Sequence, residues 1–260
     1  VYVGLLQAAA RATHDAGLML RPLPAVDPST TNTSDSALSA TLLCQQAITV
    51  CGCGGGTAIA RWLPSVLQQA PRLLLDADAL NAIAATPALQ ALLRQRAGQG
   101  ACTILTPHPL EAARLLQSSA AAVQNDRLTA ARKLANAFQC IVVLKGSGSV
   151  CAPPSQLLPE DANASAAAPV INHSGNALLA TAGAGDVLAG CIGAYWAQAH
   201  ALLSPATSKD TWLAAWSACC TGVHAHGQVA DAWNACTMRG ANLGTLHNAD
   251  LPRPLTAHTL

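Results

Sequence analysis

The chain's clearest pattern is a set of short aliphatic runs that do not alternate with polar residues. Ala47-Ile48-Thr49-Val50, Leu73-Leu74-Leu75, Thr103-Ile104-Leu105 and Ile141-Val142-Val143-Leu144 are four of them. A strand with one wet face shows a period of two, so continuous apolar strands predict a sheet covered on both faces. Helix-like segments fall between the runs. Residues 57–70 form one, with Pro64 expected to kink or break it. A second starts with Thr86 as N-cap and Pro87 as first helical residue, and runs to about Arg96. Residues 125–138 form a third, with Leu128, Ala131, Leu134 and Ala135 on one face. Strand and helix take turns, which predicts an α/β fold with a parallel sheet. From Gly185 onward the chain reads as mostly helical, and residues 30–39 and 153–169 read as loops. There is no internal repeat and no clear boundary, so residues 1–260 read as a single domain.

Composition narrows the function. Among 260 residues, 51% are hydrophobic but 3% aromatic, so the core is aliphatic and fine-grained. Charged residues are 10%, against a usual value of about 25%. Lys+Arg 14 and Asp+Glu 13 leave a net charge of +1. That balance argues against a nucleic-acid surface, which needs clustered cations, and against disorder. The ten cysteines include no C-x-x-C pair, so they read as small buried hydrophobes in a reducing cytoplasm rather than as a zinc site. His224-Ala225-His226 reads as structural. The most apolar stretch, residues 187–203, is interrupted by Gln198 and His200 and falls short of the ~20 residues a bilayer requires. It reads as a buried helix, and the chain as a cytoplasmic protein with no membrane partner. Val1-Tyr2-Val3-Gly4 shows neither an initiator Met nor a signal-peptide layout, which predicts a piece of a longer protein.

Scarce charge makes its placement informative. In open α/β sheets ligands sit beyond the carboxyl ends of the strands. Gly52 to Gly56, Asp76 with Asp78, His108 with Glu111, and Lys145-Gly146 follow the four strands in turn. Gly183-Ala184-Gly185-Asp186 precedes an apolar, helix-like run. Glycines at a helix N-terminus bring amide donors and a positive partial charge close to a ligand, which suits a phosphoryl group in transfer. Asp186 reads either as a helix-stabilising carboxylate or as a base that deprotonates an attacking hydroxyl. Lys145-Gly146-Ser147-Gly148-Ser149 reads either as an ordinary strand-end turn or as a phosphate cradle, and it is not the G-x-x-x-x-G-K-[ST] loop. Two prolines stiffen the loop of His108, and Glu111 falls in the first turn of the next helix, within reach of a Mg²⁺–water shell. Gly52-Cys53-Gly54-Gly55-Gly56 lacks the third glycine of a dinucleotide fingerprint, because Thr57 stands there.

Five segments in order carry a resemblance: Leu75-Asp76-Ala77-Asp78-Ala79-Leu80-Asn81, Thr106-Pro107-His108-Pro109-Leu110-Glu111, Val143-Leu144-Lys145-Gly146, Asn172-His173-Ser174-Gly175-Asn176, and residues 183–190. Together they resemble the ADP- or ATP-dependent NAD(P)H-hydrate dehydratases of the ribokinase-like superfamily, over about residues 2–250. The resemblance implies a three-layer sandwich with a mostly parallel central sheet. It implies repair of the S-form of hydrated NAD(P)H at the expense of ADP or ATP, with Mg²⁺. By position it implies Asp186 as the base at the substrate hydroxyl. Gly52, Gly54, Gly56, Asp78, Asn81, His108 and Asn176 would surround the hydrate. Lys145, Gly146, Ser147, Gly148, Ser149, Gly183, Ala184 and Gly185 would contact the nucleotide, and Glu111 would organise the metal through water. It further implies a homo-oligomer, a tetramer by that resemblance, and fusion to or cooperation with an NAD(P)H-hydrate epimerase. The departures are an absent first strand and loop, Cys53 where proline is common, Leu110 and Ala182 where glycine is usual, and His173-Ser174 with Ala177 in the Asn172 loop. Two alternatives remain open: a vitamin-precursor kinase of the same superfamily, and a nucleotide-binding member without activity.

Overall fold

The computed structural model describes residues 2–5, 19–22, 44–155, 168–203 and 207–238. Residues 30–39, expected as a loop, and most of residues 153–169 lie outside them. Near the N-terminus β1 (Tyr2–Leu5) and β2 (Met19–Pro22) pair in parallel. The main sheet has six strands in sequence order: β3 (Thr49–Cys51), β4 (Arg72–Leu75), β5 (Cys102–Leu105), β6 (Ile141–Leu144), β7 (Val150–Ala152) and β8 (Val170–Ile171). The first four are parallel, and β7 and β8 turn back antiparallel along one edge.

Side-chain alternation in the strands builds a core on each face. Leu73, Leu75, Leu105, Val142, Leu144, Val150 and Ala152 point into one. Leu74, Cys102, Ile104, Ile141, Val143 and Cys151 point into the other. The first face is covered by α1 (Leu63–Gln69), α2 (Ala77–Ala85), α3 (Pro87–Gln95), α4 (Pro109–Leu115), α5 (Ala120–Asn125) and α6 (Arg127–Phe138). The second is covered by α7 (Ala184–Leu203) and α8 (Ser208–Met238). This is the expected three-layer arrangement. A buried arginine stitches the first layer to the sheet: Arg96 donates to Thr103 Oγ1 at 2.8 Å and to the carbonyls of Ala70, at 2.6 Å, and Leu67. Its charge is met by three oxygens rather than by a carboxylate, which keeps a buried cation hydrogen-bonded.

Several local expectations need correcting. Of the two outcomes expected at Pro64, the structure shows the break and not the kink: Pro64 stands in the first turn of α1, after a separate 3₁₀ helix at Gly56–Arg61. Thr86 is the N-cap of α3 but its side chain makes no capping bond, and Pro87 supplies the stiff start. The helix expected over 125–138 is observed as α6, Arg127–Phe138, starting two residues later than expected because α5 ends at Asn125. Asp126 leaves helical geometry, and its side chain accepts from Thr129 N–H at 3.0 Å. Leu128 is exposed, because the buried stripe runs through Ala130, Ala131, Leu134, Ala135 and Phe138. Cys44, Cys51, Cys53 and Cys220 are partly exposed rather than buried. The stretch at 187–203 buries one face through Leu188, Ala189, Ile192 and Trp196 while Leu202 and Leu203 are exposed. No helix among the described residues is long and apolar enough to cross a membrane.

Candidate active site

The carboxyl ends of the four parallel strands are tied to one another just beyond the sheet. Asp76 N–H donates to Cys51 C=O at 3.0 Å, Thr106 N–H to Leu75 C=O at 3.1 Å, and Lys145 N–H to Pro107 C=O at 2.8 Å. These bonds carry the pairing one residue past each strand and bring the four post-strand loops side by side. Asp76, which closes β4, is fully buried. The Lys145 ammonium meets its carboxylate at 2.6 Å.

The same ammonium lies at the start of α7. A Cβ added to Gly185 would sit 3.1 Å from Lys145 Nζ, so the missing side chain lets the cation reach the helix N-terminus. Ala184 and Ala230, with Leu178, Leu179, Val187 and Trp233, form a small apolar cluster that fastens this end of α7 to α8. Asp186 stands in the first turn and is exposed. Cys53, Asp76 and Asp186 bring three potential ligand atoms within 4.8 Å of one another. Burial first, then the Asp76 and Asp186 carboxylates, push the Cys53 thiol up to about 12, so it is a neutral donor.

His108 and Glu111 lock each other. His108 is the N-cap of α4, and its Nδ1 accepts from Leu110 N–H at 3.1 Å and Glu111 N–H at 3.4 Å. Glu111 Oε2 in turn accepts from His108 N–H at 2.8 Å, which closes a capping box. Glu111 Oε1 is 3.3 Å from His108 Nε2. Burial raises the Glu111 carboxyl above its ordinary range, against the His108 N–H and Lys145, which lower it. Burial, then the charges of Lys145 and Arg114, hold the His108 imidazole below its ordinary value.

The remaining expected residues take distinct places. Asp78 accepts from Gly56 N–H at 2.7 Å and so holds the glycine loop from below. Asn81 Oδ1 accepts from Arg114 at 2.5 Å. Gly146 faces Arg127, whose guanidinium fills the space a side chain would need. Arg127 donates to Leu144 C=O at 3.1 Å and to Ser147 C=O, and Ser149 Oγ donates to Gly146 C=O at 3.1 Å. The loop from Lys145 to Ser149, Gly148 included, is therefore shaped before any ligand arrives. Asn176 caps the turn that follows it, and its amide donates to Asp231 Oδ1 at 3.0 Å. Asp231 also accepts from Gly175 N–H at 2.7 Å.

Lys145, Gly185, Asp186 and Asp76 thus form one cluster, with His108 and Glu111 near enough for Lys145 to bias both. The glycine loop at 52–56 joins it through Cys53. Asn176 is organised from α8 instead. Sequence reasoning gave no site role to Asp76, Arg127 or Asp231. Asp76 carried a signal, as a charge at a strand end in a charge-poor chain. A cleft of about 170 Å³, lined by residues including Cys151, Asn172, His173, Cys220 and His224, adjoins the end of the Lys145–Ser149 loop, where Asn172 N–H donates to Ser149 C=O at 2.8 Å, and His173 and His224 meet edge to face there.

Comparison with known proteins adds an independent line. The family model described as NAD(P)H-hydrate dehydratase matches residues 3–250. The chain is 38% identical over 185 residues to the ADP-dependent (S)-NAD(P)H-hydrate dehydratase of Neisseria meningitidis, covering 70% of this chain and 52% of that protein. It is 37% identical over 182 residues to the bifunctional NAD(P)H-hydrate repair enzyme Nnr of Escherichia coli, covering 68% of this chain and 29% of that protein. The chain therefore spans about half or less of the length of these relatives. Among solved structures, an ADP/ATP-dependent NAD(P)H-hydrate dehydratase from Bacillus subtilis, co-crystallized with ATP/Mg²⁺, matches with a TM-score of 0.51 at 23% identity, over 80% of this chain and 64% of that one. A ribokinase-like superfamily protein from Enterococcus faecalis matches with a TM-score of 0.55 at 19% identity, over 84% and 63%. The structural matches establish the ribokinase-like fold.

Proposed function

The chain belongs to the NAD(P)H-hydrate dehydratase family, and from that premise we propose that it restores hydrated NAD(P)H, in its S-form, with ADP or ATP as phosphoryl donor. The observation that carries this reading is the exposed Asp186 carboxylate on the first turn of α7, beside a lysine held under Gly185.

The chemistry follows from that arrangement. Asp186 takes the proton of the ring hydroxyl as its oxygen attacks the terminal phosphorus of the nucleotide. The bond from phosphorus to the bridging oxygen breaks, and AMP leaves from ADP, or ADP from ATP. Amides at the start of α7, Gly183 to Gly185, and the Lys145 ammonium face the charge on the moving phosphoryl group. The loop from Lys145 to Ser149, set by Arg127, receives the nucleotide. Elimination then follows: the ring nitrogen's lone pair expels phosphate, and loss of a proton from the neighbouring carbon restores the double bond. Gly52, Gly54 and Gly56, His108, Asp78, Asn81 and Asn176 border the space assigned to the hydrate.

A magnesium ion fits the donor set. Glu111 would hold the ion through water: its Oε2 is taken up by His108 N–H in the cap of α4, and its Oε1 lies beside His108 Nε2 at 3.3 Å. When bound with the nucleotide, Mg²⁺ supplies charge neutralisation at the phosphates. We place the enzyme in the cytoplasm as a single domain, as a homo-oligomer, and as a partner or fused half of an epimerase. Exposed Leu202, Leu203 and Leu213 on α7 and α8 support self-association.

The test is recovery of reduced-nicotinamide absorbance from NADH and NADPH hydrates, with ADP and ATP in turn and phosphorylation of a vitamin alcohol in parallel. Recovery coupled to nucleotide cleavage supports the reading. Phosphorylation of the alcohol alone returns the protein to the small-molecule kinases, and binding without turnover returns it to the inactive members.

A further inference from the structure

Two carboxylates and one ammonium meet at the centre of the site, and the ammonium has chosen between them. Asp76 is fully buried, while Asp186 is exposed, and their oxygens lie within 4.8 Å of each other. Lys145 pairs with Asp76 at 2.6 Å. The choice has a physical reason. Water solvates an exposed carboxylate well, whereas a buried one without a cation is costly, so the single lysine goes to the buried partner. Asp76 is itself held hard: its N–H is bonded to Cys51 C=O, and its carbonyl lies where a side chain on residue 52 would have to be.

We propose that Asp76 is a positioning residue that commits Lys145 to the space under Gly185 and so keeps it off Asp186. The inference rests on the reading of Asp186 as the base. A lysine paired with Asp186 would stabilise its ionised form and weaken it as a proton acceptor, and it would leave the phosphoryl side of the site. Held by Asp76, the same cation serves the nucleotide while Asp186 stays available to the hydroxyl. Two acids and one base thereby acquire separate tasks through burial alone.

The test uses Asp76→Asn, which keeps the side chain's shape, together with Lys145→Met and the double variant. Asp76→Asn is expected to lower kcat about 10–100-fold, a partial loss of the ~10²–10⁴-fold that a general base contributes, and to raise the nucleotide KM. Adding Lys145→Met removes the misplaced cation, so kcat is expected to recover by about tenfold while KM stays raised. A structural role for Asp76 predicts no such recovery. A double variant no faster than Asp76→Asn, or an Asp76→Asn whose kcat is unchanged, overturns the proposal. The ¹⁵N signal of the Lys145 ammonium gives a readout that needs no turnover. It should be little changed by Asp186→Asn in the wild-type background and clearly displaced by Asp186→Asn once Asp76→Asn is present. That pattern in a protein unable to repair the hydrates leaves the positioning intact and rejects the proposed substrate. Its absence in an active enzyme rejects the positioning alone.

Discussion

The glycine loop after β3 makes a quantitative prediction about how tightly the site is packed. Gly52 and Gly54 both have positive φ, at 119° and 64°. Their surroundings differ completely. A Cβ on residue 52 would lie 1.9 Å from the Asp76 carbonyl oxygen and 2.8 Å from Ala79 Cβ, whereas one on residue 54 would meet nothing within 4 Å. Gly54→Ala therefore costs only backbone strain, about 1–2 kcal/mol. Gly52→Ala adds a collision with main-chain atoms that no rotamer relieves, about 1–3 kcal/mol more, for a total of about 2–5 kcal/mol. At ~2–4 °C per kcal/mol for a chain of this size, the melting temperature falls by about 4–20 °C for Gly52→Ala and by about 2–8 °C for Gly54→Ala. Urea unfolding followed by far-ultraviolet circular dichroism measures both free energies. Equal losses in the two variants would refute the close approach of Asp76 to the loop.

Further expectations concern the neighbouring elements. Arg127→Met removes the bonds to Leu144 and Ser147 carbonyls, so stability falls by about 1–2 kcal/mol and the nucleotide KM rises about 5–10-fold as the loop loses its preset shape. Isothermal titration with ADP separates that effect from turnover. His108 has a pKa lowered in the fold, so the unfolded chain takes up its proton first as the pH drops. Its contribution is fully present above the unfolded value of about 6.5 and is lost as the pH falls from there toward the lower folded value. His108→Asn keeps an N-cap acceptor and does not titrate, so that part of the acid slope should vanish from thermal melts across this window. An unchanged slope would show that burial and the Lys145 and Arg114 charges do not hold His108 below its ordinary value.

The fold was legible because its strands are buried on both faces, and such strands need no alternation to be recognised. Leu73, Leu74 and Leu75 read as one apolar run, and the structure distributes them to two cores. The helix at Arg127–Phe138 was legible to within two residues, while its first residue was not, because Asp126 departs from helical geometry to cap the first turn. Leu128 misled for a related reason, since it sits at the edge of the stripe that buries Ala131 and Leu134. In the site, Asp186, Lys145 and His108 could be found as polar residues at strand ends and a helix start. Asp76 was visible as a strand-end charge, yet its role depends on a partner 69 positions away that no local pattern connects to it. Arg127 and Asp231 escaped for the same reason: each acts from the surface of a helix on a loop distant in sequence.

The most direct measurement is turnover of NADH hydrate by wild type and Asp186→Asn at saturating ADP or ATP, with nucleotide affinity and melting temperature measured on the same samples. The account predicts a fall of at least ~10²-fold in kcat, with binding and stability nearly unchanged, because Asp186 is exposed and bears no part of the core. A variant that repairs the hydrate at the wild-type rate contradicts it.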